Sequence, residues 1–260
     1  MTKWSDDQCL DTPRGDRQAH AMNDLVARAG VLRELHRPGT PLVLRNAWDA
    51  ASAKALVGDA PALATTSVGV AEALGYADGG HIPGDDAFAA LGRIVAAVDV
   101  PVTADCEAGY GLAPDAFVEG LLGAGAVGCN LEDTDPATRA LRDPGEQAAY
   151  LTAVKAAGRE RGVDLVLNAR VDVHVRGGTL EDGLARARAY REAGADCVYP
   201  IFCHEEEGIA AYVQAAAVVN VHVHPSAPDL ARLAELGVAR ASYGGSLFRA
   251  ALEAARSYEP

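Results

Sequence analysis

The sequence contains no long hydrophobic run, and no stretch reaches the ~18 consecutive apolar residues of a membrane-spanning helix. Its opening residues 1–20 are polar and lack the apolar segment of a secretory signal. The 5 cysteines form no CxxC pair, and all but Cys9 lie in apolar, strand-like segments, at Cys106, Cys129, Cys197 and Cys203. This usage argues against a membrane protein, a disulfide framework or a zinc knuckle, and it predicts reduced thiols in a cytoplasmic enzyme.

Positive charge is also scarce. Lysine and arginine together number 23 against 36 aspartates and glutamates, which gives a net charge of −13. A surface for nucleic acid or anionic membrane needs basic patches, so neither partner is expected. The lysines are Lys3, Lys54 and Lys155, and none lies in a predicted strand. A Schiff-base aldolase needs a lysine at a strand end, so that class of enzyme is disfavoured.

The GxGxxG turn of dinucleotide-binding folds is absent, which disfavours an open doubly wound sheet. Instead, short apolar segments alternate with alanine- and leucine-rich stretches of helical spacing. Near-continuous apolar strands indicate a parallel sheet covered on both faces. Eight strands alternating with helices predict an α/β fold of the (β/α)8 TIM barrel type. The predicted strands are 41–47, 62–67, 100–106, 126–133, 164–172, 197–202, 218–224 and 238–244.

The domain organisation expected from this pattern is simple. Residues 23–260 form one barrel, the catalytic domain, and residues 1–22 form a flexible N-terminal arm. Two helices are clearest, over 143–162 with Pro144 near the start and over 181–196 with Gly194 as terminator. Asp49 is expected to cap the helix after the first strand.

Polar residues gather where the predicted strands end, which in a barrel is the edge that carries the active site. Side chains alternate along a strand, so Asp105 and Glu107 are expected to share a face. The same holds for the three polar residues of the fifth strand. By strand, the residues are Thr65, Thr66 and Ser67; Asp105 and Glu107; Glu132 and Asp133; and Asn168, Arg170 and Asp172.

Three of these acids, Asp105, Glu107 and Glu132, would make an all-oxygen site of the kind that selects Mg²⁺ or Mn²⁺. Arg170 beside them provides a planar guanidinium that binds a carboxylate or phosphate. Metal and arginine together suit an anionic substrate whose enolate needs stabilisation. The alternative is a rim of salt bridges and helix caps. His222 and His224, two apart on the seventh strand, either share a face and bind a metal, with His224 near the strand end also open to a substrate contact, or are buried structural histidines.

Several segments, in this order, resemble the isocitrate lyase/phosphoenolpyruvate mutase superfamily over about residues 41–255. They are "NAWDA" (46–50), "TTSVGVAEALGYAD" (65–78), "TADCEAGYG" (103–111), "GAVGCNLED" (125–133), "NAR" (168–170), "AYREAGAD" (189–196) and "GVARASYG" (237–244).

The resemblance implies a barrel, often with its last helix swapped between subunits, in a homodimer or homotetramer. It implies Mg²⁺ and a small 2-oxo- or 2-hydroxycarboxylate substrate handled through an enolate-like intermediate. Asp105, Glu107 and Glu132 match residues around the metal, and Glu107 departs mildly from the aspartate of mutases. The residues Thr65, Thr66 and Ser67 match substrate-binding positions, Arg170 matches the substrate-gripping arginine, and Asp78 matches a catalytic aspartate near the reaction centre.

The loop after the fourth strand departs from the family. Isocitrate and methylisocitrate lyases carry a Lys-Lys/Arg-Cys-Gly-His motif there, whereas residues 134–147 contain no cysteine, histidine or lysine. Arg139 and Arg142 either bind the distal end of the substrate or are solvated rim residues. Three functions stay open: a Mg²⁺-dependent carbon–carbon lyase, a phosphonopyruvate hydrolase-like or mutase-like C–P enzyme, and a 2-oxo-acid-binding barrel with vestigial catalysis.

Overall fold

The computed structural model describes residues 14–258, with side chains from residue 21 onward. Its strands are β1 Leu42–Leu44, β2 Asn46–Ala47, β3 Leu63–Thr65, β4 Val102–Asp105, β5 Gly128–Glu132, β6 Val166–Val171, β7 Cys197–Pro200, β8 Asn220–His222 and β9 Arg240–Ser242. Its helices are α1 Arg14–Glu34, α2 Ala50–Val57, α3 Ser67–Ala73, α4 Gly84–Val95, α5 Pro114–Gly123, α6 Pro144–Glu160, α7 Val173–Arg176, α8 Leu180–Glu192, α9 Glu206–Ala216, α10 Leu230–Glu235 and α11 Ser246–Ser257.

All strand pairs are parallel, in the orders β2-β3-β4-β5-β6-β7 and β1-β9-β8. The two sheets meet twice. β1 and β2 are consecutive parts of one stave separated by Arg45, and a parallel bridge between Val198 and Val219 joins β7 to β8. The cyclic order is that of an eight-staved barrel, so the predicted fold class is confirmed. Every predicted strand segment contains a strand, and the first contains two.

The core lies between the outer faces of the strands and the helices. Leu131, Leu167 and Val198 on the strands and Phe117 and Leu151 on the helices are fully buried. Because both faces of each strand are covered, the strands are nearly all apolar on the outside, as a parallel sheet requires.

Helix α1 covers the amino-terminal end of the barrel. Its Leu32 is fully buried, and a Cβ added at Gly128 would lie 2.9 Å from the Leu32 Cδ2 atom. Met22 packs against the core from the same helix. The predicted arm boundary at residue 22 therefore falls inside α1, because this helix has an apolar face that the barrel buries. Residues 1–13 of that arm lie outside the described residues, as does Cys9.

Local signals position the helices as expected. Asp49 is the N-cap of α2 and accepts a hydrogen bond from the Ser52 amide. Asp143 caps α6, whose first residue is Pro144. Gly194, with φ +99°, lies just past the end of α8. The four described cysteines are buried and free. No described helix is long and apolar enough to cross a membrane.

Candidate active site

A cavity of about 670 Å³ opens at the carboxyl ends of the strands. Another cavity, of about 650 Å³, lies near the starts of β1 and β3, away from the strand-end acids. The carboxyl-end cavity therefore coincides with the polar cluster identified in the sequence. Among its lining residues are Asn46, Thr66, Ser67, Asp78, Asp105, Asn130, Arg139, Arg170, Arg176, Tyr199, Phe202, His222, His224, Ser242 and Arg249.

Asp105, the last residue of β4, is held by the turn that follows β3. The Ser67 hydroxyl and amide donate to its Oδ2 atom, at 2.9 and 3.2 Å. The Asp105 amide donates to the Thr65 hydroxyl at 2.9 Å. The other carboxylate oxygen, Oδ1, is buried and has no hydrogen-bond partner among the described residues. Thr66 and Ser67 line the cavity. Thr65 is buried, and its hydroxyl positions Asp105 by accepting the hydrogen bond from the Asp105 amide.

Glu107 reaches this cluster from a left-handed backbone. β4 ends at Asp105, and Glu107 has φ +49°, so its position comes from the turn and the expected strand alternation does not extend to it. Its carbonyl accepts from the Glu132 amide at 2.9 Å. Such strained residues recur at functional sites. The strand-alternation argument for Glu107 was therefore wrong, although the two carboxylates do interact.

The Glu107 carboxylate is buried, with 3% exposure, and neither oxygen has a hydrogen-bond partner among the described residues. Burial, followed by the negative charges of Asp105 and Asp78, raises the pKa of Glu107 to about 7. The nearby Gly80 amide and the Arg170 charge oppose this rise only in part, so the protein compensates the negative charge of Glu107 weakly.

Glu132 and Arg170 form an ion pair across adjacent strands. Arg170 Nη1 lies 2.6 Å from Glu132 Oε2, and Arg170 Nε lies 2.7 Å from Asp172 Oδ1. Burial raises the pKa of Glu132 and the Arg170 charge opposes that rise, while Glu132 and Asp172 raise the pKa of Arg170. The short contact is that of a carboxylate and a protonated guanidinium. Glu132 is therefore ion-paired within the protein, whereas neither Asp105 nor Glu107 forms a salt bridge among the described residues.

Asp133, which follows Glu132, faces the other way. It accepts hydrogen bonds from the Asp172 amide at 2.8 Å, the Tyr190 hydroxyl at 2.8 Å and Arg186 at 3.0 Å. It braces the barrel wall and does not line the cavity. The three polar residues of β6 and its end do share a face: Asn168 contacts Asn130 inside the barrel, and Arg170 contacts Asp172.

Asp78 lies at the rim, opposite the loop of residues 134–147. Partial burial and, next, the negative charge of Asp105 raise the pKa of Asp78. Arg139, with φ +60°, donates to the Gly79 carbonyl at 3.3 Å and lines the cavity. Arg142 instead donates to Gln147 at 3.2 Å. Of the two loop arginines, Arg139 is the one that lines the cavity.

The donor set fits a divalent metal. Asp105 and Glu107 present three buried oxygens that have no hydrogen-bond partner among the described residues, and the charge of Asp105 raises the pKa of Glu107. Among the described residues, no three His, Cys, Asp or Glu side chains form a complete ligand cluster. Mg²⁺ commonly takes one or two carboxylates and several waters, so a partial protein shell is consistent with it.

Sequence analysis missed Tyr199 in the cavity and left the role of His222 and His224 open. Tyr199 on β7 lines the wall, and burial raises its pKa to about 12. His222 and His224 lie beside His204, whose ring stacks on that of His224 at 4.7 Å. Burial lowers the pKa of His222 to about 4, so its ring is neutral at pH 7. The two-residue spacing of His222 and His224 was the signal in the sequence for this imidazole cluster.

Residues 32–259 match the phosphoenolpyruvate phosphomutase family. The chain belongs to this family, within the isocitrate lyase/phosphoenolpyruvate mutase superfamily. The resemblance of the sequence motifs is thereby confirmed.

Individual members cover most of the chain. A Mycobacterium tuberculosis protein is 34% identical over 226 residues, 85% of this chain and 84% of its own. The 2-methylisocitrate lyase of Escherichia coli is 31% identical over 209 residues, 71% of this chain and 67% of its own. A crystal structure from Burkholderia cenocepacia, provisionally described as a phosphonomutase, is 41% identical with a TM-score of 0.84, covering 90% of this chain and 97% of its own.

The superfamily is one of enzymes, lyases and mutases, and its members are generally Mg²⁺-dependent. Other members similar to this chain include an oxaloacetate acetylhydrolase, solved with its product oxalate, and a phosphonopyruvate hydrolase. The cavity of this family member lies at the carboxyl ends of the strands, where barrel enzymes carry their active sites.

Proposed function

We propose that this protein is a Mg²⁺-dependent carbon–carbon lyase acting on a 2-oxo- or 2-hydroxycarboxylate. The observation that carries the proposal is the pair Asp105 and Glu107, whose three buried carboxylate oxygens have no hydrogen-bond partner among the described residues. Both interact with Arg170, and Asp105 and Arg170 line the cavity. Similarity to a 2-methylisocitrate lyase supports the reaction class.

Asp105 and Glu107 would hold the metal, directly or through water, with Glu132 completing the negative surroundings. Bound Mg²⁺ would supply Lewis-acid stabilisation of the negative charge that develops on the substrate's oxo oxygen. Ser67 keeps Asp105 oriented through Oδ2 and leaves Oδ1 available.

The chain's own residues would bind and orient the substrate. Glu132 and Asp172 hold the guanidinium plane of Arg170 through all three of its nitrogens. The second N–H group on each of Nη1 and Nη2 would bind a substrate carboxylate. Thr66 and Ser67 lie at the start of α3, where the first helical amides lack acceptors within the helix. In a retro-aldol cleavage a base takes the proton of the substrate hydroxyl, and the carbon–carbon bond breaks to give a carbonyl product and an enolate. Asp78, whose pKa is raised, would take that proton and return it to the enolate carbon.

The loop of residues 134–147 sets this protein apart from lyases with a cysteine on that loop. Arg139 is its charged contribution to the cavity. A positive group there suits a second anionic group at the distal end of the substrate. The substrate class we infer is therefore a dicarboxylate or larger acid.

The test is an assay of purified protein on oxaloacetate, 2-methylisocitrate and related acids, with and without EDTA. We expect turnover that EDTA abolishes and Mg²⁺ or Mn²⁺ restores. Asp105→Asn should remove activity, while Asp99→Asn, an exposed residue before the same strand, should not. Turnover that is indifferent to chelation contradicts the proposal.

A C–P enzyme is the second candidate, because the matching family is that of a phosphomutase and a phosphonopyruvate hydrolase is among the similar proteins. Arg139 and Arg176 at the mouth suit a phosphonate as well as a carboxylate. ³¹P NMR with phosphonopyruvate separates the candidates, since only a C–P enzyme changes the phosphorus signal. Binding of oxalate with no turnover of any acid would instead identify a barrel with vestigial catalysis.

We also propose a homodimer or homotetramer. Phe248 is the buried residue of α11, where it packs edge-on against Trp48 at 5.3 Å, and the rest of this helix is half-buried or exposed. A helix this weakly packed at its own barrel is suited to exchange between subunits. Sedimentation velocity should give a mass above one chain, and truncation after residue 245 should shift it to that of one chain.

A further inference from the structure

Asn130, in the middle of β5, lies on the cavity floor beside the proposed metal site. It pairs in register with Asp105 on β4 and Asn168 on β6. Its side chain is 5% exposed, and that exposure is toward the cavity it lines. It is therefore one strand away from the carboxylates and within the volume that a bound acid would fill.

The orientation of the Asn130 amide is determined by two donors beneath it. Asn168 Nδ2 donates to Asn130 Oδ1 at 2.7 Å, and Arg240 Nη2 donates to the same oxygen at 3.2 Å. A guanidinium has no acceptor, so the atom facing Arg240 must be the oxygen. The Nδ2 group of Asn130 then faces the cavity with its hydrogens free of any described protein acceptor.

Arg240 is an unusual residue to find in this place. It is fully buried, burial lowers its pKa, and its Nε and Nη1 atoms have no hydrogen-bond partner among the described residues. Burying a guanidinium without a paired carboxylate is unfavourable, and an apolar residue of similar size is often better for stability. Its one described contact that reaches the cavity floor is the one with Asn130.

We propose that Asn130 is a further substrate-binding residue whose Nδ2 group donates to an oxygen of the bound acid, and that Arg240 is a positioning residue for it. This inference rests on the proposed function, because it assumes an oxygen-rich acid in the same cavity. The neutral donor would complement Arg170, binding an oxo or carboxylate oxygen from the β5 side without changing the charge of the site.

The decisive variant is Asn130→Asp. Aspartate has the same shape and still accepts from Asn168 and Arg240, so the buried contacts are kept and an ion pair with Arg240 is gained. The donor toward the cavity is lost and an acceptor replaces it. The new carboxylate also repels an anionic ligand, so a loss of affinity supports the donor role only when Arg240→Met, which adds no negative charge, weakens binding as well.

Calorimetry with oxalate and saturating Mg²⁺ measures the effect. We expect Asn130→Asp to weaken oxalate binding by roughly 10- to 100-fold, with a melting temperature no lower than that of the unmodified protein. Asn23→Asp, at an exposed position of α1, is the control, since it makes the same amide-to-carboxylate change away from the cavity. It should leave oxalate affinity unchanged. Equal affinity in Asn130→Asp and the unmodified protein overturns the inference.

The positioning role has its own readout. Arg240→Met should keep or raise the melting temperature while weakening oxalate binding several-fold, and Arg240→Lys should restore part of the affinity. An Arg240→Met protein with unchanged affinity contradicts the positioning role. Failure of the unmodified protein to bind oxalate with Mg²⁺ contradicts the proposed function itself, so the two failures are distinguishable.

Discussion

Replacing Glu107 with glutamine should raise the stability of the metal-free protein at pH 8. The carboxylate is buried without a hydrogen-bond partner among the described residues, and its pKa is raised to about 7 by burial and by the charges of Asp105 and Asp78. An uncharged amide of the same size avoids the cost of ionising a buried acid beside other acids.

The sign and size follow from proton linkage. Below the ordinary pKa of 4.5, Glu107 is protonated in both the folded and unfolded states and contributes nothing. Between pH 4.5 and about 7 the folded state binds more protons, so the free energy of unfolding falls as the pH rises. The full difference between these pKa values corresponds to about 3 kcal/mol. Glu107→Gln should recover about that amount above pH 7, and nothing at pH 4.

Urea unfolding between pH 5 and pH 8 with EDTA present gives the measurement. Glu119→Gln, at an exposed helix position, is the control and should follow the unmodified protein. Adding Mg²⁺ should stabilise the unmodified protein much more at pH 8 than at pH 5, because the metal competes with the proton on Glu107. A Glu107→Gln protein that is less stable than the unmodified protein at pH 8 without metal would refute the charge argument.

Further outcomes test the packing around the site. Arg170→Met should destabilise the protein by about 3–5 kcal/mol in urea unfolding, since it leaves the buried carboxylates of Glu132 and Asp172 without their ion-pair partner. In the same titration, Arg232→Met, which removes an exposed ion pair, should cost under ~1 kcal/mol. Thr65→Val removes the acceptor of the Asp105 amide and should cost about 1–3 kcal/mol by chemical unfolding. Gly109→Ala should lower the melting temperature more than Gly111→Ala; both positions have positive φ, but only at Gly109 would the new Cβ meet the Tyr150 hydroxyl. Equal losses in either pair of variants would contradict these contacts.

The order of strands and helices was predictable because each depends on a pattern of neighbouring residues. Apolar runs of the right length identified every stave, and Asp49, Pro144 and Gly194 marked helix ends by local chemistry. The placement of Asp105 and Arg170 at the cavity also followed, since parallel strands end at the same edge.

The orientation of the Glu107 side chain was not predictable from the sequence. The residue type indicated a metal site, but the left-handed backbone that aims the side chain is a property of the turn and has no two-residue periodicity. The different partners of Glu132 and Asp133 also depended on the tertiary structure. Glu132 pairs with Arg170, whereas Asp133 pairs with Arg186 from α8.

The sequence by itself determined an eight-staved parallel barrel, its superfamily and a set of acids at the strand ends, because these depend on local patterning and on short motifs. Only the tertiary structure decided which carboxylates lack partners and which amide group is turned toward the cavity. Arg240 and Asn130 are 110 residues apart in the chain, and they meet across the barrel interior. Contacts of that kind depend on how the staves close, and no stretch of neighbouring residues encodes them.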